Sequence, residues 1–563
     1  MEESPGPEPS NDQHGFTIDI DNFGPIKHAS ITPANLTVFI GPNNSGKSYA
    51  AMLVHVLINA FTTIIPNVKV ESSGLYRSLT PSPSLSIVSD ILGMDRNGID
   101  VEPQAGIQIE GTNKILRWIQ DELINGPEDA PIPLQPLQET ILAGFKQWLN
   151  RAITPYLNNE LPRIFSGPIS SLARNSCEGF TISLSSSSFV IQFSSSENSI
   201  KVEQITLIQQ KFYMIKRRVE PFFEFTLESE EGAPLMIIGI PKEPDGSLEK
   251  TLGTYLSKAN PNAQKIEIAL FSNFPVVFIQ ALLDSMLKAI YDSIIVNHSV
   301  YLPAARSGLL QGQKVIASAF YQLSSVAGMR PMNIPALPGV VADFLMQLQG
   351  ISQGKSTLPM PLPRAKLDSL AEMLEANIIE GIIELEDPSI NPASEIIYTM
   401  SNGQKLSLNQ ASSMVNELAS IILYFKHFIQ VEDFLIIEEP ESHLHPGAQR
   451  VLAYFLARAV RAGLRVLITT HSEFLVLQLS HLIEFSTKTE ATRQEIGFFH
   501  NSRDYLNPEE VAVHLFTKEL AEEGECGTTL VEHLVVDDNG IDEKSLSAVS
   551  ASLYDESIDL ERE

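Results

Sequence analysis

Gly41-Pro42-Asn43-Asn44-Ser45-Gly46-Lys47-Ser48 follows directly on the apolar run Leu36-Thr37-Val38-Phe39-Ile40 and leads into Tyr49-Ala50-Ala51-Met52-Leu53-Val54. Strand, glycine loop and helix in this order have the spacing G-x-x-x-x-G-K-[ST]. In that pattern backbone N–H groups wrap phosphates, the lysine reaches the β/γ oxygens and the last hydroxyl binds Mg²⁺. Gly41 and Gly46 give the tight backbone path, and Pro42, Asn43, Asn44 and Ser45 make up the cradle between them. Lys47 supplies charge and Ser48 a metal ligand. A surface loop would match the four fixed positions in only about one chain in fifty of this length, and the flanking elements make coincidence rarer. The stretch from Tyr49 to Ile65 is apolar, but His55, Asn59, Thr62 and Thr63 interrupt it. It is also shorter than the roughly 20 residues a bilayer requires, so a buried helix is expected.

The chain has 563 residues, too many for one ordinary core, and 43% of them are hydrophobic. Two or three domains are therefore expected, with disorder confined to the ends. Cys177 and Cys526 have neither metal-ligand nor disulfide-framework spacing, which fits a reducing compartment. Met1 to Asn11 is Pro-, Glu- and Ser-rich rather than a basic, apolar leader, so a cytoplasmic chain without membrane insertion is expected. The net charge of −29 disfavours nonspecific adhesion to nucleic acid and leaves a local basic groove as the route to DNA. The basic, aromatic octet Lys211 to Arg218 reads as a solvated helix face.

Three short strands are expected at Phe16 to Ile20, Ile26 to Ile31 and Leu36 to Ile40. Residues 66–296 carry no nucleotide motif. They begin with a Ser- and Pro-rich segment near Ser72 to Ser86 and continue with helices at Lys114 to Leu123 and Gln138 to Leu157. Apolar alternation at Phe180/Ile182/Leu184, Phe189/Ile191/Phe193 and Ile200/Val202 then predicts a β meander between serine clusters, with strands at Phe222 to Leu227 and Leu235 to Ile240. A helix at Phe274 to Ile295 leads to a strand at Val300 to Leu302 that presents Arg306 on the following loop. Helical patterns then cover Ile316 to Val326, Val340 to Leu348 and Leu367 to Ile383, without sustained heptads.

The second half of a site is legible at Asp433-Phe434-Leu435-Ile436-Ile437-Glu438-Glu439-Pro440-Glu441, an apolar strand ending in two acids. Beside a phosphate loop, the first acid helps hold Mg²⁺ and the second orients the attacking water. Glu438 takes the metal role and Glu439 the catalytic one. One helix later, at Gly447 to Ala462, the strand Arg465 to Thr470 ends in His471. A parallel strand reached by a single crossover helix is expected beside the acid strand, where His471 can sense the γ-phosphate. Glu441, His443 and His445 read as a loop facing a partner subunit rather than as a metal site.

Together these motifs resemble ABC-type ATPases of the chromosome-maintenance and recombination-repair (SMC-like) class, and more closely the OLD-type ATPases and their stand-alone relatives in prokaryotic anti-phage systems such as Septu and PARIS. The resemblance rests on Asn22-Phe23-Gly24-Pro25-Ile26, Ile40 to Ser48, Tyr301 to Gly308, Ala411 to Leu418, Leu435 to Pro446 and Thr470-His471-Ser472. It implies an α/β P-loop NTPase head with a mixed β-sheet and flanking helices, split between residues 16–65 and 297–540. A disordered N-terminus (1–15), a large α+β insertion (66–296) and an acidic tail (541–563) complete the expected layout. It further implies an ATPase using ATP and Mg²⁺ whose heads form a homodimer or higher homo-oligomer, with a signature serine of one head touching the γ-phosphate held by the other. Ser412 and Ser413 match that segment, at the start of a helix whose dipole favours phosphate; Met414 stands where glycine is usual. Arg306 is expected near the phosphates. Asp537-Asp538 lacks the spacing of a two-metal nuclease, so a separate effector protein, such as a nuclease, is the expected output. A DNA-binding clamp and a slowly hydrolysing, ATP-bound oligomeric scaffold are the other two functions this pattern accommodates.

Overall fold

The computed structural model describes residues 15–64, 121, 126, 128–133, 135–174, 177–187, 189–207, 212–219, 222–229, 234–241, 265–268, 298–312, 315–316, 318, 337–352, 365–386, 395–496, 504–519 and 528–542. The helix expected at Phe274 to Ile295, all but residue 121 of the one expected at Lys114 to Leu123, most of Ile316 to Val326, the serine-rich segment near residue 72 and nearly all of both termini lie outside the described residues.

The fold is α/β, built on an eleven-stranded mixed sheet. Five neighbouring strands are parallel, in the order Ser299–Leu302, Phe434–Glu438, Arg465–Thr470, Leu36–Ile40 and Val511–Glu519. Thr528–Leu534 runs antiparallel to the last of these and parallel to Ile26–Ile31. Phe16–Phe23, Thr181–Ser186, Phe189–Ser196 and Ser199–Leu207 then continue the sheet as an antiparallel meander. The serine-punctuated strands within 66–296 thus extend the same sheet that carries the phosphate loop.

The central parallel strands are buried throughout, because both faces of the sheet are covered. Successive side chains point to opposite faces, and the two cores record this. Phe39, Ile436 and Leu467 pack on one side with the helix Lys47–Ile64 and the long helix Gln135–Phe165. Val38, Ile437 and Ile468 pack on the other with the helices Ser413–His427, Pro446–Arg461 and Glu473–Ser486. The helix after the phosphate loop is thus a core helix, and among the described residues no helix is long and apolar enough to cross a membrane.

At the meander's outer edge, unpaired backbone groups are covered by the long helix. Asn150 accepts from Val202 N at 2.8 Å and donates to its carbonyl at 3.2 Å, and Asn158 accepts from Ile200 N at 2.8 Å. Side-chain amides that mimic a neighbouring strand leave less edge open for pairing with another chain.

Three expectations change. The octet Lys211 to Arg218 is not a helix face but lies largely within the strand Phe212–Val219 of a second, five-stranded sheet, where Met214 and Lys216 are buried at period two. The helical pattern from Leu367 ends at Ile379. There Glu380 turns left-handed (φ 49°) and Gly381–Leu385 becomes a strand whose Ile383 N–H donates to Glu375 at 2.6 Å. The segment Ile496 to His500 reads in sequence as a further strand that completes the sheet, but Ile496 ends the helix Glu490–Ile496, and residues 497–500 lie outside the described residues. Val511–Glu519 instead lies against the phosphate-loop strand. Its run Val-Ala-Val-His-Leu-Phe is apolar enough to be buried on both faces.

Candidate functional site

Strand register decides which residues meet. Leu302 pairs with Ile437, Glu438 with Thr469, and Thr470 with Ile40, so four of the five parallel strands end together at one edge. That edge carries the phosphate loop, Glu438 and Glu439, His471 and the turn from Pro303 to Arg306. Ligands of open parallel sheets bind beyond the carboxyl ends of the strands.

The phosphate loop needs its glycines. Gly41 has φ +144°, and a Cβ there would stand 2.2 Å from the Phe516 carbonyl oxygen. Gly46 has φ +90°, and Asn44 is left-handed at φ 59°. Lys47 lies across the loop, its ammonium donating to the carbonyls of Gly41 (2.7 Å) and Pro42 (2.8 Å). Burial lowers the Lys47 pKa, and the charges of Glu439, Glu441 and Glu438 oppose that shift. Ser45 is buried with its hydroxyl unpartnered, while Ser48, Asn43 and Asn44 are exposed. A buried, unsatisfied hydroxyl in a glycine-bounded loop that opens a helix suits a phosphate oxygen. The Ser48 hydroxyl and Glu438 carboxylate are hard oxygen donors of the kind Mg²⁺ takes, so the residues present fit both groups.

Glu438 is 8% exposed, and one of its oxygens accepts from Ala304 N at 3.0 Å. Buried Tyr301 lies beside it, with a phenol pKa raised well above the usual value by burial first and by Glu438 second. Glu439 occupies a left-handed conformation (φ 42°) that a non-glycine residue holds only when its surroundings over-determine it. Its N–H donates to the Thr469 carbonyl at 2.9 Å and hydroxyl at 3.2 Å, and its own carbonyl accepts from Arg306 at 3.1 Å. The carboxylate itself stays about one-third open, with side-chain exposure of 32%.

Arg306 does not stand among the phosphates. It is wholly buried, 2.8 Å from Glu417, and donates to the backbone carbonyls of Pro303, Glu438 and Glu439. Its charge is consumed inside the protein, because both terminal nitrogens of the guanidinium are engaged by the Glu417 carboxylate and the three carbonyls. Glu417 lies on the helix that Ser412 caps, so the guanidinium ties that helix to the tip of the acid strand.

Ser412 is exposed, and its hydroxyl accepts from Val415 N at 3.3 Å as a helix N-cap; Ser413 is the first residue of that helix and is also exposed. The buried Asn416 amide fastens the turn, donating to the carbonyls of Leu408 and Ser412 at 3.0 and 3.2 Å. Both serines are therefore presented outward on a rigid turn.

His471 is half-exposed, with Nδ1 3.8 Å from Glu439 and 3.5 Å from Glu441. Glu441 is a site residue that sequence reasoning assigned only to a loop. It is 3% exposed, and Oε1 accepts from the Thr470 hydroxyl (2.6 Å) and from His471 N (3.1 Å). Its only sequence signal is an acid three positions after Glu438, across a proline that turns the chain back. His445 caps the next helix by accepting from Gly447 N at 3.2 Å, and His443 is exposed with φ 61°. A cavity of about 800 Å³ adjoins the cluster, lined in part by Glu439, Glu441, His443, Gln449, His471 and Phe474.

Residues 363–476 match the AAA ATPase domain family. No curated protein matches the chain. Solved structures that align with it include an SMC head bound to the C-terminal winged-helix domain of ScpA, at 8% identity and TM-score 0.32, over 92% of this chain and 97% of that one. The SMC head domain from Thermotoga maritima aligns at 8% identity and TM-score 0.29, over 92% and 98%. An SMC head with an extended coiled coil, bound to the C-terminal domain of ScpA and derived from Pyrococcus furiosus, aligns at 10% identity and TM-score 0.30, over 95% and 98%. The part of the chain that carries Ser412, Glu438, Glu439 and His471 is thus similar to an AAA ATPase domain.

Proposed function

We propose that this protein binds and hydrolyses ATP in the manner of an ABC-type ATPase, closes into a homodimer on ATP, and uses that cycle to gate a separate effector, in the setting of anti-phage defence. The observation that carries the enzymatic reading is the convergence of Lys47, Glu438, Glu439 and His471 on one sheet edge through strand register. The defence setting and the effector rest on the motif resemblance.

The loop amides, Lys47 and Ser45 bind the phosphates and fix their orientation. Ser48 and Glu438 would hold Mg²⁺, which when bound neutralises phosphate oxygens. Glu439, fixed at its backbone yet open at its carboxylate, orients water and accepts its proton. His471 contacts the γ-phosphate. Ser412 and Ser413, outward on a helix N-terminus, would meet the nucleotide of a partner head.

The reading is tested by nucleotide binding and turnover in Lys47→Ala and Glu439→Gln. Lys47→Ala should lose ATP binding. Glu439→Gln should keep ATP and lose about 10²-fold or more in turnover, and it should run as a dimer on ATP in light scattering. If both variants turn over ATP like the wild type, the site assignment is wrong.

A further inference from the structure

Glu441 is an acid in a place where acids are rarely kept. Its carboxylate is almost wholly buried, one oxygen carries two hydrogen bonds, and Oε2 has none. A buried charge with an unsatisfied oxygen is costly, and closing the end of a strand does not require one, since a neutral acceptor would take the same two donors. Its neighbour explains it. Both of its hydrogen bonds fall on the backbone and side chain that flank the Thr470–His471 peptide, and the His471 ring lies with Nδ1 3.5 Å from Oε1. That distance exceeds a hydrogen bond by a few tenths of an ångström, a gap that a small side-chain rotation closes.

Resting on the ATPase reading above, we propose that Glu441 is a positioning residue for His471: it anchors the histidine's backbone and accepts a hydrogen bond from Nδ1–H, so that the Nε2 edge of the ring is the one turned to the nucleotide. Which nitrogen of a histidine works is set by the hydrogen bond that the other one makes. Two carboxylates compete for Nδ1. Glu439, 3.8 Å away, is the more open of the two and the one needed for water. Glu441 is pinned and faces no substrate role of its own. Assigning Nδ1 to Glu441 frees the Glu439 carboxylate, so one acid serves the ring and the other the reaction. Ser472, whose hydroxyl donates to Gln449 at 2.6 Å and caps the next helix, holds the other side of the same residue.

The test uses the full chain and two readouts. In nucleotide-free protein labelled with ¹⁵N-histidine, the His471 signals are assigned by their loss in His471→Ala. Wild type should show the Nδ1–H form, and Glu441→Ala and Glu441→Gln should shift the population toward Nε2–H. The same ring state in all three overturns the proposal, whether or not ATP is hydrolysed. In turnover assays, Glu441→Gln keeps an oxygen for Thr470 and His471 N, so it should melt close to wild type. It should nevertheless lose about tenfold in kcat with KM for ATP within about twofold. In a His471→Ala background the same change should have no further effect, whereas an equal loss in both backgrounds would mark a structural role and overturn the proposal. Equal background turnover by wild type and Lys47→Ala would instead count against the ATPase reading, and the ring-state measurement would still decide the role of Glu441.

Discussion

Arg306 and Glu417 form an ion pair 2.8 Å long in which the side chains are 0% and 1% exposed, joining the turn after the edge strand to the helix that Ser412 caps. Since Arg306 also holds the carbonyls of Glu438 and Glu439, the outward serines and the inward acids are parts of one rigid unit.

Breaking that pair on one side strands a buried charge. Glu417→Leu should cost about 3–5 kcal/mol in urea unfolding, and a paired Arg306→Met/Glu417→Leu change should recover much of it. A double change as unstable as the sum of the two singles would show that the residues do not interact.

Gly41→Ala should remove the phosphate cradle. Its Cβ would overlap the Phe516 carbonyl at 2.2 Å in a backbone conformation of φ +144°. Backbone cannot yield as a flexible side chain does, so a loss of several kcal/mol in stability, or of ATP binding in a fluorescent-nucleotide titration, is expected. Gly403→Ala, with nothing within 4 Å of its Cβ, should cost far less despite its own positive φ.

Two buried groups should bend the pH dependence of stability in opposite directions. His514, wholly buried against Phe39 and close to His533, is pushed down to about 4, mainly by burial and next by His533, with the Thr32 backbone opposing. The unfolded chain therefore binds the extra proton first, and stability falls as pH drops from about 6.5 toward 4. By pH 5 the share of the loss due to His514 should reach about 2 kcal/mol, and His514→Phe should remove that share while His55, also pushed down to about 4 by burial, keeps its own. Asp433 is pushed up to about 7 by burial, despite accepting from Gln430 N at 2.7 Å. There the folded state keeps its proton longer, so stability falls as pH rises from about 4 to 7, and Asp433→Asn should flatten that arm. Urea midpoints across the range check both.

The phosphate loop, the acid strand, the His471 strand and the order of helices between them are decided by local rules. A five-residue apolar run, a glycine loop with a fixed spacing and a serine before a helical pattern each act over a few residues, and each element stands within a residue or two of where its pattern puts it. What needed the tertiary structure is the use made of charged side chains. Arg306 and Glu441 look alike in sequence to any polar residue beside a site. Whether such a side chain faces a ligand or is consumed in the interior depends on which acceptors and donors distant strands bring within 3 Å. Phe212–Val219 is resolved as strand by its antiparallel pairing with Phe222–Ser229 across a two-residue connection, a hairpin that the charge and aromatic content of the octet does not record. The local code determined that the chain has a phosphate cradle facing two acids. Long-range register decided which charges reach that cradle and which hold it in place.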